Sequence, residues 1–227
     1  QARAHGRPVM FFYPSSIAVY GTPTDFGDRP VSEGECSVPR TMYGSNKLYC
    51  EHLGRYYASY YKQLDTEAHA NLVDFRSIRF PGLISALTMP SGGTSDYASE
   101  MIHAAANSEA YTCFVRPDTR IPFMAMPDAI DAILALTNRE ETGLSQHVYN
   151  VSAFNPSAAE IHELVAKAYP GAHVAFEPDT RRQAIVDSWP SAVDDRLARS
   201  DWGYSPRYDL VTCFHDYLIP TVSEIYR

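Results

Sequence analysis

Tyr43 and Lys47 stand four residues apart in the run Tyr43-Gly44-Ser45-Asn46-Lys47. On a helix that spacing puts both side chains on one face. A phenol with an ordinary pKa near 10 is a poor base at neutral pH, and a neighbouring ammonium favours the phenolate. Such a pair can move a proton to or from a substrate hydroxyl. Taken alone, the pattern also fits a solvated Tyr–Lys face. A further hydroxyl stands upstream, where the apolar run Val9–Tyr13 ends in Pro14-Ser15-Ser16. Ligands of open α/β sheets bind beyond the carboxyl ends of the strands, so Ser16 can hold a reacting oxygen there. It can equally be a turn-forming serine.

The elements that must position these groups alternate along the chain. Val9–Tyr13 reads as a buried strand, and residues 21–39, rich in Pro, Gly and acids, as a surface loop. Thr41 caps a helix expected to run to about Lys62. Asn71–Arg79 reads as the next strand, closed by Phe80-Pro81-Gly82. A Pro/Gly/Ser/Thr loop from Met89 to Ser95 precedes a helix over about Asp96–Asn107. Cys113–Val115 and Ile121–Met124 read as short strands, and Pro127 opens a helix to Thr137, where its missing N–H is harmless. Val148–Val151 is strand-like, and Ser157 with Glu160 forms a capping box for a helix to Ala168. Strands alternating with helices predict an α/β fold with a mainly parallel sheet.

Composition removes several classes of function. The 227 residues carry a formal net charge of -8, which disfavours binding to nucleic-acid phosphates. No run of roughly 18 apolar residues suggests a membrane span, and the start has no apolar signal core. Cys36, Cys50, Cys113 and Cys213 lie far apart without a C-x-x-C, so neither a zinc site nor a disulfide framework is expected. They read as reduced thiols of a cytoplasmic protein. The eight histidines form no ligand-spaced set. Asp194-Asp195 reads as a helix cap rather than a pair of hydrolytic acids. Arg120 either binds a carboxylate or pairs with Asp118. Trp189, before Pro190, is a packed aromatic in a bend or a cover for a site.

The run Phe12-Tyr13-Pro14-Ser15-Ser16-Ile17-Ala18-Val19-Tyr20-Gly21, together with Tyr43 and Lys47, resembles the extended short-chain dehydrogenase/reductase (NAD-dependent epimerase/dehydratase) family. Arg79–Ser85, Gly92–Ala98, Arg116–Pro122, Tyr149–Ser152, Asp187–Pro190 and Asp201–Gly203 are closest to its short-chain L-threonine 3-dehydrogenase branch. The resemblance implies a Rossmann-like sheet with a smaller C-terminal α/β substrate domain. It divides the chain into 1–85 with 126–153 (dinucleotide-binding part) and 86–125 with 154–227 (substrate part). It implies Ser16, Tyr43 and Lys47 as catalytic residues, and NAD as cofactor. Ser15, Tyr43, Lys47, Pro81, Gly82 and Leu83 would face the cofactor, and Ser16, Gly93, Thr94 and Trp189 the substrate. The implied reaction oxidises L-threonine at its β-carbon to 2-amino-3-oxobutanoate. The helix over 41–62, with its many tyrosines, is expected to pack against its twin in a homodimer.

One family feature is missing from the sequence. No G-x-x-G-x-x-G turn, which receives a cofactor pyrophosphate at a helix N-terminus, occurs in the 227 residues. At ~30 residues per βαβ unit, a truncated chain short of about 100 residues is expected. Two other readings follow. A nucleotide-sugar epimerase or dehydratase would share the Tyr–Lys pair, but it needs cations for a diphosphate, and residues 85–108 hold no Lys or Arg. A non-catalytic scaffold or NAD sensor would not need Ser16, Tyr43 and Lys47 intact.

Overall fold

The computed structural model describes residues 2–66 and 72–227. The first strand, β1 (Val9–Ser16), pairs in parallel with β2 (Val73–Phe80), from Val9↔Val73 to Ser16↔Phe80. Parallel pairing requires a crossover, and the Met42–Arg55 helix lies within it. Thr41 caps that helix by accepting from Gly44 N at 3.0 Å. Beyond Arg55 the coil widens into a π-helical segment, Tyr56–Tyr60, so the long helix expected to about Lys62 changes character halfway along its tyrosines. Asn71, expected to open the second strand, lies outside the described residues.

After β2 the chain gives β3 (Gly82–Ile84), the Tyr97–Ala106 helix, β4 (Tyr111–Cys113) and β5 (Phe123–Ala125). The last two begin two residues before and after the strands expected near them. The Met126–Thr137 helix follows, with Pro127 in its first turn. Next comes β6 (Val148–Asn150), which joins β2 in parallel at Ser77↔Val148 to Arg79↔Asn150. The sheet order β1-β2-β6 therefore brings Ser16, Phe80 and Asn150 to one rim. The Ala158–Ala168 helix carries the expected capping box between Ser157 and Glu160. Finally β7 (Val174–Phe176) pairs with β4, while β3 pairs with β5. The architecture is α/β with parallel sheets flanked by helices, as expected from the alternation.

Two larger apolar cores lie beside one another. One is built on the three-stranded sheet and includes Ile78, Met124, Leu136, Tyr149 and Trp202. The other includes Ile84, Tyr97, Met101, Phe123, Ile161 and Phe214. Arg76, buried in β2, donates to the carbonyls of Leu136 and Arg139 at 2.6 Å each, which ties the Met126–Thr137 helix end to the sheet. A cation there complements the helix dipole. At the start of the Arg196–Trp202 helix, Asp194 accepts from Arg196 N at 3.1 Å and Asp195 pairs with Arg199 at 2.9 Å, so both acids serve this helix.

Candidate active site

The last residue of β1, Ser16, turns directly into the short Ile17–Val19 helix. Its Oγ accepts from Ala18 N at 3.2 Å, so Ser16 is a turn former. The bond uses the oxygen as an acceptor and leaves the O–H proton available to a ligand. The Met42–Arg55 helix packs onto this turn at Gly44. A Cβ on Gly44 would lie 2.0 Å from the Ala18 carbonyl oxygen, so only glycine permits this approach. The packing carries Tyr43, in the first helical turn, to the same cavity as Ser16. The N-terminal end of a helix also favours negative charge developing there.

That cavity has a volume of about 360 Å³ and is lined by Ser16, Tyr43, Pro81, Gly82, Gly93, Thr94 and Trp189 among others. Residues from five separate stretches of sequence thus meet at one place. Three of the expected site residues stand apart from it. Ser15 is buried and donates to Glu51 Oε1 at 2.5 Å. Leu83 packs on the core beneath the three-stranded sheet. Lys47 donates to the Pro14 carbonyl at 2.6 Å, with Nζ 5.0 Å from the Tyr13 ring centre and 5.4 Å from that of Tyr43. Burial, reinforced by Cys50, pushes the Tyr13 hydroxyl well above its ordinary range. Of the two phenols beside Lys47, Tyr13 is therefore unsuited to act as a base.

The loop forming the far wall is held from two sides. Asp96 accepts from Gly93 N at 2.8 Å and from Ser91 N at 3.1 Å. Arg182 donates to the carbonyls of Gly92 and Gly93 at 3.1 and 3.0 Å, and its guanidinium lies 3.2 Å from the Phe114 ring centre. Among the described residues, no Lys or Arg lines the cavity. Trp189 also borders a second, more polar hollow of about 390 Å³ that contains Arg116, Arg120 and Asp187. Arg120 pairs with Glu160 at 2.9 Å and with the Asn155 carbonyl, whereas Asp118 bonds to Arg116. Arg116 also holds Asp187, two residues before Trp189, through two bonds of 2.9 Å.

Behind the cavity lies a polar network that the motif reading missed. Arg79 (1% exposed) donates to both oxygens of Glu51 (0% exposed) at 2.9 and 2.6 Å, and to Tyr20 at 2.8 Å. Tyr20 in turn donates to Asn150 at 2.7 Å. Burial pushes the Tyr20 hydroxyl up to about 12, despite the opposing Arg79 cation. Burial also works against the Arg79 cation, but the Glu51 carboxylate outweighs it and holds the group above its ordinary range. The available sequence signal was the spacing of Glu51, four residues after Lys47 and on the same helix face.

Among the described residues, no three His, Cys, Asp or Glu side chains cluster as a metal site, and no helix is long and apolar enough to cross a membrane. The parallel sheet, with a serine at its carboxyl rim and a Tyr–Lys helix against it, defines an α/β enzyme-like site. Residues 2–152 match the NAD dependent epimerase/dehydratase family, and the chain belongs to it. It is 41% identical over 203 residues to an uncharacterized epimerase/dehydratase of Staphylococcus haemolyticus, covering 89% of this chain and 60% of that protein. It is 38% identical over 209 residues to the mitochondrial L-threonine 3-dehydrogenase of Bos taurus, covering 92% and 52%. Among solved structures, a monomeric L-threonine 3-dehydrogenase from a metagenome superposes with a TM-score of 0.84 at 35% identity, covering 100% of this chain and 68% of that one. The chain thus spans between about half and three-fifths of the length of these curated relatives.

Proposed function

We propose that this chain supplies the proton-transfer and substrate-binding groups of an NAD-dependent oxidoreductase acting on L-threonine. The observation that carries the reading is the composition of the cavity. Ser16 and Tyr43 share it with Gly93, Thr94 and Trp189, and among the described residues no cation lines it. At about 360 Å³ it sits at the small end of ligand sites. A sugar-nucleotide diphosphate calls for Arg or Lys, and the nearby Arg182 is already bonded to loop carbonyls. The resemblance to L-threonine dehydrogenases points the same way.

In this mechanism the Tyr43 oxygen takes the proton from the threonine β-hydroxyl, and Ser16 donates a hydrogen bond to the same oxygen. Lys47 supplies positive charge beside Tyr43. Thr94 offers a short hydroxyl to the amino-acid head group, and Trp189 shields the site from water, which strengthens polar contacts inside it. Tyr43, Pro81 and Gly82 border the same cavity and would hold the nicotinamide and ribose end of NAD. Lys47 and Ser15 would support Tyr43 and Ser16 from behind. When bound there, NAD+ would supply the hydride acceptor for the threonine β-carbon.

The proposed two-unit division at residues 85/86, 125/126 and 153/154 follows most of the two cores, except that Ile84 joins the substrate-side core, and Met124 and the 198–204 segment join the sheet-side core. Exposed Tyr49, Tyr56, Tyr57 and Tyr60 on the crossover helix support a homodimer through that face. Four free thiols suit the cytoplasm. The test uses the full-length protein, with NADH absorbance for L-threonine and chromatographic detection of UDP-galactose/UDP-glucose interconversion, because epimerisation returns its hydride and yields no net NADH. Turnover of threonine alone is expected. Turnover of a UDP-sugar without threonine rejects this reading in favour of the epimerase.

A further inference from the structure

The helix carrying Tyr43 is bonded to the end of β1 at two successive turns: Lys47 holds the Pro14 carbonyl, and Glu51 accepts from the Ser15 hydroxyl. One turn earlier, Tyr43 faces the same cavity as Ser16. The Glu51 contact lies deepest. Glu51 is fully buried and takes both oxygens to Arg79, whose other bonds reach Tyr20 and the Glu33 carbonyl. Asn150, at the end of β6, closes the set by accepting from Tyr20 and by donating its N–H to the Glu33 carboxylate at 2.9 Å. Burial raises that Glu33 carboxyl above its ordinary value.

A buried ion pair is weak evidence for stability, because desolvation offsets much of the attraction, and an apolar pair of similar volume is often tolerated. What such a pair supplies is directional geometry. The side chains of Ser15 and Ser16 point to opposite faces of the strand, so a bond on Ser15 sets the height and rotation of its neighbour. We infer that Glu51 and Arg79 are positioning residues, which set the spacing between the Ser16 and Tyr43 hydroxyls through Ser15 without touching substrate. This rests on the oxidation reading above. A misplacement of ~1 Å between reacting groups lowers rate by about 100-fold, so the effect should fall on kcat rather than on KM.

The experiment compares the full-length protein with Ser15→Ala and with the double variant Glu51→Met/Arg79→Met, which removes both members of the buried ion pair together. For each, kcat, the threonine KM and the melting temperature are measured. The double variant is expected to melt cooperatively, keep KM within about three-fold and lose at least ten-fold in kcat. Ser15→Ala should lose several-fold in kcat with KM kept within about three-fold and only a few degrees lost in melting temperature, a kcat-against-KM split that a merely structural role would not produce. A folded double variant with kcat within two-fold of the parent overturns the proposal. If the double variant does not fold, Ser15→Ala decides, and an unchanged kcat overturns it. If the parent protein does not oxidise threonine, the functional reading fails separately. Crystal structures of the parent and Ser15→Ala then judge the positioning: a changed Ser16–Tyr43 spacing supports it, and an unchanged one overturns it.

Discussion

Lys47 donates its ammonium to the Pro14 main-chain carbonyl at 2.6 Å, so the residue placed beside the proposed base also joins its helix to β1. Pro14 brings no N–H to the strand, but its carbonyl gives the helix a fixed point. Lys47→Met keeps the aliphatic stem and removes both the charge and the bond. We expect kcat to fall by roughly 10²-fold or more. The melting temperature should drop by about 2–4 °C, as for a loss near 1 kcal/mol in a chain of this size. An unchanged kcat would free Lys47 of any chemical role.

Tyr43→Phe retains the ring and deletes one oxygen. Oxidation of threonine by the full-length protein should fall by roughly 10²–10⁴-fold, while NAD affinity stays within a few-fold by calorimetry. Near-normal turnover would remove Tyr43 from the mechanism.

Gly44→Ala sets two effects against each other. Alanine favours a helix over glycine by about 1 kcal/mol, yet its Cβ would meet the Ala18 carbonyl oxygen at 2.0 Å. Backbone cannot move aside as a flexible side chain would, and overpacking costs roughly 1–3 kcal/mol or more. The clash should win. Lower thermal stability and reduced kcat are expected together, and a more stable, fully active variant would contradict the packing described here.

The pH dependence of stability has an identifiable contributor in Asp201. Burial pushes its carboxyl up, but hydrogen bonds from Ser145, Tyr149 and Ser200 outweigh that effect and hold it at about 2, against an ordinary value of 3.8. Because the folded value is the lower one, the stabilisation is complete above pH 3.8 and is lost as pH falls through about 2. The stability gap between the parent and Asp201→Asn should be flat near neutral pH and shrink through that window in denaturant titrations. A gap that widens on acidification would reverse the assignment.

Association through the crossover helix is open to direct measurement. Tyr49, Tyr56, Tyr57 and Tyr60 are 64%, 42%, 44% and 55% exposed, an unusual amount of aromatic surface to leave in water. The metagenomic L-threonine 3-dehydrogenase that superposes on this chain is described as monomeric, so the state must be determined for this protein. Light scattering should give a dimer for the parent and a monomer for Tyr56→Lys/Tyr60→Lys. A monomeric parent at high concentration removes the interface.

Ser16 and Tyr43 were legible from the strand end and the Y-x-x-x-K spacing, whereas Gly93, Thr94 and Trp189 were placed beside them only by the family resemblance. Thr41 announced the crossover helix, and Ser157 with Glu160 announced another. The tether from Lys47 was not legible, since a carbonyl of Pro14 leaves no mark on the sequence. The pairing of Glu51 with Arg79 was hidden for a different reason: charged residues usually lie at the surface, and only the three-dimensional packing brings these two together away from water. Strand β3 was concealed inside Pro81-Gly82-Leu83-Ile84, where the Pro-Gly pair reads as a turn. Three-residue strands such as β4 and β7 are too short to show a period. Arg120 was read against its near neighbour Asp118, whereas its partner Glu160 stands forty positions away.

The chain has two tryptophans, and they occupy unlike surroundings. Trp202 is buried beside Tyr149 and Tyr204 in the core beneath the sheet, while Trp189 stands half-buried between two hollows. Intrinsic fluorescence therefore carries two channels. Quenching by a small solute reaches Trp189 and spares Trp202, so emission from the first reports occupancy of the cavity, and emission from the second reports integrity of the fold. The wall of the site thus doubles as an optical probe with its own internal reference.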